Sequence, residues 1–498
     1  TLSALPLSRM SNPFFILITS DMFEKRFLNL SAKIVKFITL EHFYGHRNQF
    51  KMSFYLFFTL SKQVLWTFGS FYLRKNFFIF FFFFNFLLSF SMSSQVSHDF
   101  YNPEKISENI KTVLFHRNGW PMSYPVIGLN TGQKLFLSFD ELGTEIKNYY
   151  YSVEMCDKNW EPSALMRTEY SRGDQMVPIE NYRRSFNTTF DYVHYELVFP
   201  NENVDLLLSG NYLLKVYDGF KRENPILVKR FLVNEQRVSV DADVKYTMQS
   251  SGRGNFQEID FVVDYPGLSI MDPATEVSVT IMQNGRSDNA LTNLPPLFFG
   301  NDRMDFNYNR EVVMEGGNEF RWVDFRSLRF QSDHISDINF YDPFYHADVF
   351  TDHSHGDKPY YYHKDFNGRY YIEVQEEQDP EVSADYAFVH FSLNWMPPIG
   401  GREVYLTGGL TNWLLTPQNR MKYDFEQELY TLTLLLKQGY YNYQYLVVEE
   451  GRKQGSVLPV EGSFGRTEND YLILVYFRPA GGRYDRLVGV EVVNSVNP

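Results

Sequence analysis

At 498 residues the chain is too long for one ordinary domain and implies two to four. Its 47 Lys and Arg against 60 Asp and Glu are unevenly spread: residues 1–94 hold ten basic and three acidic side chains, leaving 37 basic and 57 acidic beyond them. An acidic body without a basic tract excludes nucleic acid and anionic membrane surfaces as main partners. A single cysteine, Cys156, excludes an internal disulfide framework.

In chain order, residues 1–72 are rich in Phe, Leu and Lys, with no clear turn punctuation or sustained period, and read as an unstructured, over-extended reading frame with initiation near Leu73. Residues 73–94 have a different character. Arg74 and Lys75 precede a nearly unbroken apolar run from Phe77 to Phe90, and small residues follow. A membrane span needs roughly 20 apolar residues, so this shorter run reads as a secretory signal peptide cleaved near Ser94. Cys156 lies too far beyond that point to carry a lipid anchor and reads as a small buried hydrophobe. The mature protein is expected to have no direct membrane span.

From about residue 110 a period of two dominates. "QKLFLSFDEL", "KNYYYSVEMC", "YVHYELVFP" and "GNYLLKVYD" alternate apolar with polar positions, separated by Gly, Pro, Asn or Asp clusters. Such spacing predicts an all-β chain of tandem Ig-like β-sandwich domains. We expect an N-terminal sandwich over 95–235, a middle one over 236–380 and a C-terminal E-set-type sandwich over 381–498. The last boundary follows the acidic break "QEEQDPEVSADY". No stretch after residue 95 keeps a helical period over three turns.

The chemistry-bearing patterns are sparse. No nucleophile elbow, phosphate loop or dinucleotide fingerprint is present, so no catalytic residue and no cofactor is assigned. The densest ligand set, His346, His353, His355 and His363 with Asp348, Asp352 and Asp357, matches no metal signature and reads as a polar loop beside a strand, so no metal is assigned either. Arg321, Arg326 and Arg329 interleave with aromatics, which predicts stacking on rings or pairing with Asp324. "VYLTGGLTNWLLTP" resembles the glycogen-binding type of Ig-like module, with Trp413 as the candidate sugar platform. The second platform aromatic is missing, because Tyr441, Tyr443 and Tyr445 alternate on one strand face, the spacing of core residues.

Five ordered blocks, "YSVEMCDKNWEPSALMRTEYSRG", "SFNTTFDYVHYELVFPNENVDLLLSGNYLLKVY", "QNGRSDNALTNLPPLFF", "GGNEFRWVDFRSLR" and "EGSFGRTENDYLILVYFRPAGGRYDRLVGV", resemble the plug-protein family of the type IX secretion system of Bacteroidota. The resemblance implies a non-enzymatic periplasmic protein that occludes the periplasmic end of a large outer-membrane β-barrel translocon. It does not assign an interface residue by residue. Glu468, Asn469 and Asp470 either fix a turn through their own backbone or meet the partner. Arg483 and Arg486 either pair internally with Asp485 or reach the partner's carboxylates. The alternative function is an exported carbohydrate-binding protein using the C-terminal module, and a glycoside hydrolase is a more distant reading.

Overall fold

A computed structural model describes residues 102–247, 254–300, 302–308, 312–398 and 400–496. The stretches expected to be a reading-frame extension, 1–72, and a signal peptide, 73–94, lie outside the described residues. Among the described residues the protein is all-β, with α-helical turns of only four residues each, at 167–170, 273–276, 380–383 and 458–461. No described helix is long and apolar enough to cross a membrane.

The first sandwich packs the sheet built on Tyr149–Cys156, Gly210–Asp218 and Leu227–Asn234 against the sheet Ile110–Arg117, Leu135–Leu142, Tyr192–Phe199 and Asn181–Arg184. Its core is what the alternation predicts: Leu135, Leu137 and Phe139 face Tyr149, Tyr151, Val153 and Tyr212 from the opposite sheet. Residues at positions i, i+2 and i+4 of a strand share one face, so each strand contributes every second side chain.

The expected boundary at 380 is not where the sheets divide. The second core combines Ile259, Phe261, Val279 and Ile281 with Tyr471, Ile473, Val475 and Val488. Strand Val277–Gln283 pairs antiparallel with Asp470–Phe477, which in turn pairs with Arg486–Asn494. The last two described strands therefore complete the second sandwich, and the third is inserted between its parts. That third core gathers Val323 and Phe325 with Ala347, Phe391, Leu406, Tyr441, Tyr443 and Tyr445. Periodicity reveals a strand but not its partner, so strands 470–477 and 486–494 were expected in the wrong sandwich.

Strand Asp470–Phe477 is buried on both faces. One face fills the second core, and the other, Leu472, Leu474 and Tyr476, packs on Cys156, Trp160, Leu213 and Leu232 of the first sandwich. The two sandwiches thus share an apolar joint. Tyr476 donates across it to Asn211 Oδ1 at 2.8 Å. Burial pushes the Cys156 thiol up to about 12, leaving it a core hydrophobe.

Candidate docking surface

In the third sandwich, strand Tyr386–Asn394 turns Ala387, Val389, Phe391 and Leu393 inward, which puts Phe388 and His390 on the outer face. Parallel pairing with Phe344–Val349 sets His346 opposite Phe388 and Asp348 opposite His390. Antiparallel pairing with Ile335–Tyr341 sets Tyr341 opposite Phe344. An outer face is ordinarily polar; this one carries a continuous aromatic set. Phe344 meets Phe388 edge to face at 5.0 Å, Tyr341 meets His346 at 5.2 Å, and His346 stacks on His390 at 5.2 Å. Phe190 of the first sandwich stacks on Phe344 at 4.6 Å, extending the patch across the joint. Tyr341 remains 63% exposed, while Phe344, His346, Phe388 and His390 are half-buried.

The two imidazoles share a hydrogen bond, His346 Nδ1 to His390 Nε2, at 2.9 Å, and His390 Nδ1 meets Thr433 Oγ1 at 2.8 Å. Burial pulls His390 below the usual histidine range; Asp348 pulls it up and His346 pulls it down. Burial thus disfavours the charged form of His390. Flat rings with a few fixed nitrogens suit stacking against a protein surface, and clustered exposed apolar residues mark such contacts.

The residues singled out from sequence lie elsewhere. Asn469 is buried; its Nδ2 donates to Gln257 Oε1 at 2.9 Å and to the Gly316 carbonyl at 2.8 Å. Asp470 Oδ2 accepts from Arg369 at 3.1 Å, and Glu468 Oε1 accepts from Asn494 Nδ2 at 3.1 Å. All three side chains are engaged within the fold. Arg483 grips Glu169 with both Nη atoms, and Arg486 grips Glu235. Both arginines pair within the chain, but with carboxylates of the first sandwich rather than with Asp485. Asp485 instead accepts from Arg478 at 2.6 Å and from the Lys158 amide at 2.9 Å.

Trp413 follows a 3₁₀ turn at Gly409–Thr411. Its ring lies edge-on to Phe320 at 5.9 Å and against Gly368, where a Cβ would fall 2.3 Å from a ring carbon. Gly368 also has φ +78°, so only glycine suits the position. Trp413 is one wall of a cavity of about 190 Å³ that Tyr124, Trp160, Lys229 and Arg369 also line. It is not a flat open platform. Tyr441, Tyr443 and Tyr445 are fully buried, and the last two both donate to Asp352 Oδ2, at 2.8 and 2.7 Å.

Three of the four histidines of 346–363 have separate partners: His346 pairs with His390, His363 Nε2 meets the Phe320 carbonyl at 2.9 Å, and His355 lies 4.0 Å from Glu461. Burial, with the Arg321 and Lys358 charges, pushes His355 down to about 4. Arg326 pairs with Asp324 as expected and also reaches Glu373 at 2.7 Å, whereas Arg321 passes Asp324 by and enters the core.

Sequence reasoning missed Glu319. Burial, reinforced by Asp365, pushes its carboxyl up to about 7, against a hydrogen bond from Tyr360. A carboxyl raised in the folded state favours folding below its unfolded value of about 4.5 and loses that contribution as pH rises through about 7. Glu319→Gln is therefore expected to match the parent protein at pH 4 and to exceed it at pH 8 by about 1–2 kcal/mol, screening included. Urea melts at the two pH values measure this, and equal stabilities at pH 8 would contradict it.

Fold and surface together define a tandem β-sandwich protein with a half-buried aromatic cluster on the outer face of its third sandwich. Residues 110–235 match the family model described as Type 9 secretion system plug protein 1st domain. Among the solved structures, one of a hypothetical protein from Parabacteroides merdae ATCC 43184 is 35% identical with a TM-score of 0.76, over 78% of this chain and 98% of that one. No curated protein matches significantly. The chain belongs to the type IX secretion system plug family, and its role is that of a secretion-associated plug component.

Proposed function

We propose that this protein is a periplasmic gate subunit that occludes the periplasmic end of the type IX outer-membrane translocon, docking through the aromatic face of its third sandwich. Family membership supports association with the secretion machinery. The signal-like pattern over residues 73–94 supports export. The observation that carries the docking assignment is the cluster Tyr341, Phe344, His346, Phe388 and His390, aromatic where a solvated sheet face would be polar. A plug works by covering an opening, so it needs complementary surface rather than a reactive group. The carbohydrate-binding alternative has less support, since Trp413 is a cavity wall.

Affinity purification of the tagged protein from detergent-solubilised outer membranes, read by mass spectrometry, is expected to recover a very large β-barrel. Tyr341→Ser with Phe388→Ser is expected to cut that recovery on the order of tenfold, as loss of a central aromatic anchor does. Recovery of the barrel at parental yield would remove the face from the interface. Failure of the parent protein to recover it would remove the gate assignment itself.

A further inference from the structure

At the joint between the first and third sandwiches a row of charged groups runs from the interior to solvent. Asp140 is fully buried and accepts from Lys437 Nζ at 2.7 Å and from the Tyr386 hydroxyl at 2.7 Å. Its other oxygen lies 2.6 Å from His194 Nδ1. His194 is 4% exposed, and its second nitrogen, Nε2, is buried without a well-formed hydrogen bond. That nitrogen faces Glu196 Oε1 at 3.4 Å; burial lowers the His194 pKa, but Asp140 and Glu196 outweigh it and raise it. Glu196 is aimed from behind by Asn181, whose Nδ2 donates to Oε2 at 2.7 Å. Glu381, on the helical turn Pro380–Ser383 of the third sandwich, completes the group; ligand atoms of His194, Glu196 and Glu381 all lie within 4.8 Å of one another.

We propose that His194 Nε2, Glu196 and Glu381 form a binding site for a divalent transition-metal ion of the zinc class, joining the first sandwich to the third. Three observations converge on it. The Asp140 contact on Nδ1 is the arrangement by which a carboxylate fixes the tautomer and orientation of a metal-binding imidazole, leaving Nε2 to ligate. An imidazole with two carboxylates suits zinc, whereas calcium and magnesium prefer an all-oxygen set. Charge points the same way: the carboxylates of Asp140, Glu196, Asp379 and Glu381 face the cations of Lys437 and Arg183, an excess of two negative charges once an ion on Nε2 has displaced the His194 proton.

Arg183 is the group such an ion displaces. Its Nη2 bridges Glu196, at 3.2 Å, and Glu381, while Nη1 holds Asp379 at 2.6 Å. The Nη2 atom stands where a cation shared by the two carboxylates belongs. The Arg183 side chain is 38% exposed and that of Asp379 51%, so the guanidinium can withdraw with Asp379 toward solvent and open the entry path.

The test is a calorimetric zinc titration of the purified protein in a background carrying His346→Gln and His390→Gln, which removes the surface imidazole pair as a competing site. Saturable one-to-one binding is expected. Arg183→Gln should tighten it and Glu381→Gln weaken it, each on the order of tenfold, and His194→Gln should abolish it. Glu381 is exposed, so its variant reports even where the His194 variant fails to fold. No saturable titration in Arg183→Gln protein, or one that Glu381→Gln leaves unchanged, overturns the site.

Discussion

Arg321→Met is expected to destabilise the third sandwich by about 3–5 kcal/mol, the cost of stranding buried charge. Arg321 is 6% exposed, and its Nε donates to both oxygens of Glu461, at 3.1 and 3.0 Å. Nη1 donates to Asp352 Oδ1 at 2.8 Å, and Nη2 to the His353 carbonyl at 2.7 Å. Burial works against the guanidinium charge, but Glu461 and Asp352 outweigh it and raise its pKa. Glu461 also accepts from the Tyr445 amide at 2.8 Å, so the ion cluster fixes the central strand Gly439–Glu449. Methionine fills much of the space but leaves Glu461 and Asp352 facing each other without a cation. Hydrogen exchange should localise the loss to strands Arg321–Asp324 and Gly439–Glu449, with the first sandwich unchanged. Adding Glu461→Gln should restore part of the stability, because the stranded charge is then removed. A loss below about 1 kcal/mol would mean that the cluster relaxes or hydrates at small cost.

The strands were legible because each obeys a local rule. Leu135, Leu137 and Phe139 recur at every second position, and Tyr441, Tyr443 and Tyr445 do the same within "GYYNYQYLV"; both sets face cores. Pairing was not legible, because antiparallel partners are chosen by long-range packing. "DYLILVYF" announces a buried strand, but nothing in it says that one face belongs to Val277–Gln283 and the other to the first sandwich. The aromatic face was hidden for a related reason. Alternation assigns apolar side chains inward, and Phe344 and Phe388 are apolar residues on the outer register. Charged partners are the least legible: Arg483 finds Glu169 and Arg183 finds Glu381, across long stretches that carry no common pattern. A search for carboxylates complementary to isolated arginines would have found Asp324 for Arg326 but not Glu461 for Arg321.

Lys437→Met is the second change with a large expected effect, about 3–5 kcal/mol, and it acts on the joint rather than on one core. Lys437 is 1% exposed; its ammonium donates to Asp140 of the first sandwich and to the Glu381 carbonyl of the third, and sits 4.1 Å above the Tyr192 ring. Burial drives the Asp140 carboxyl toward its neutral form, yet Lys437 and then His194 hold it below the usual carboxylate range. Methionine removes the main counter-charge from a carboxylate that has no access to water. The remaining options are to lean on His194 alone for a counter-charge, to protonate Asp140 or to open the joint, and each consumes stability. Asp140→Asn combined with Lys437→Met should therefore be less damaging than Lys437→Met alone, a non-additivity that a double-mutant cycle measures. If the two changes add, the ammonium and carboxylate are independently solvated and the pair does not hold the sandwiches together. If they compensate, the face carried by Phe190 and Phe344 spans two sandwiches locked by one buried ion pair, and the aromatic cluster inherits its shape from that lock.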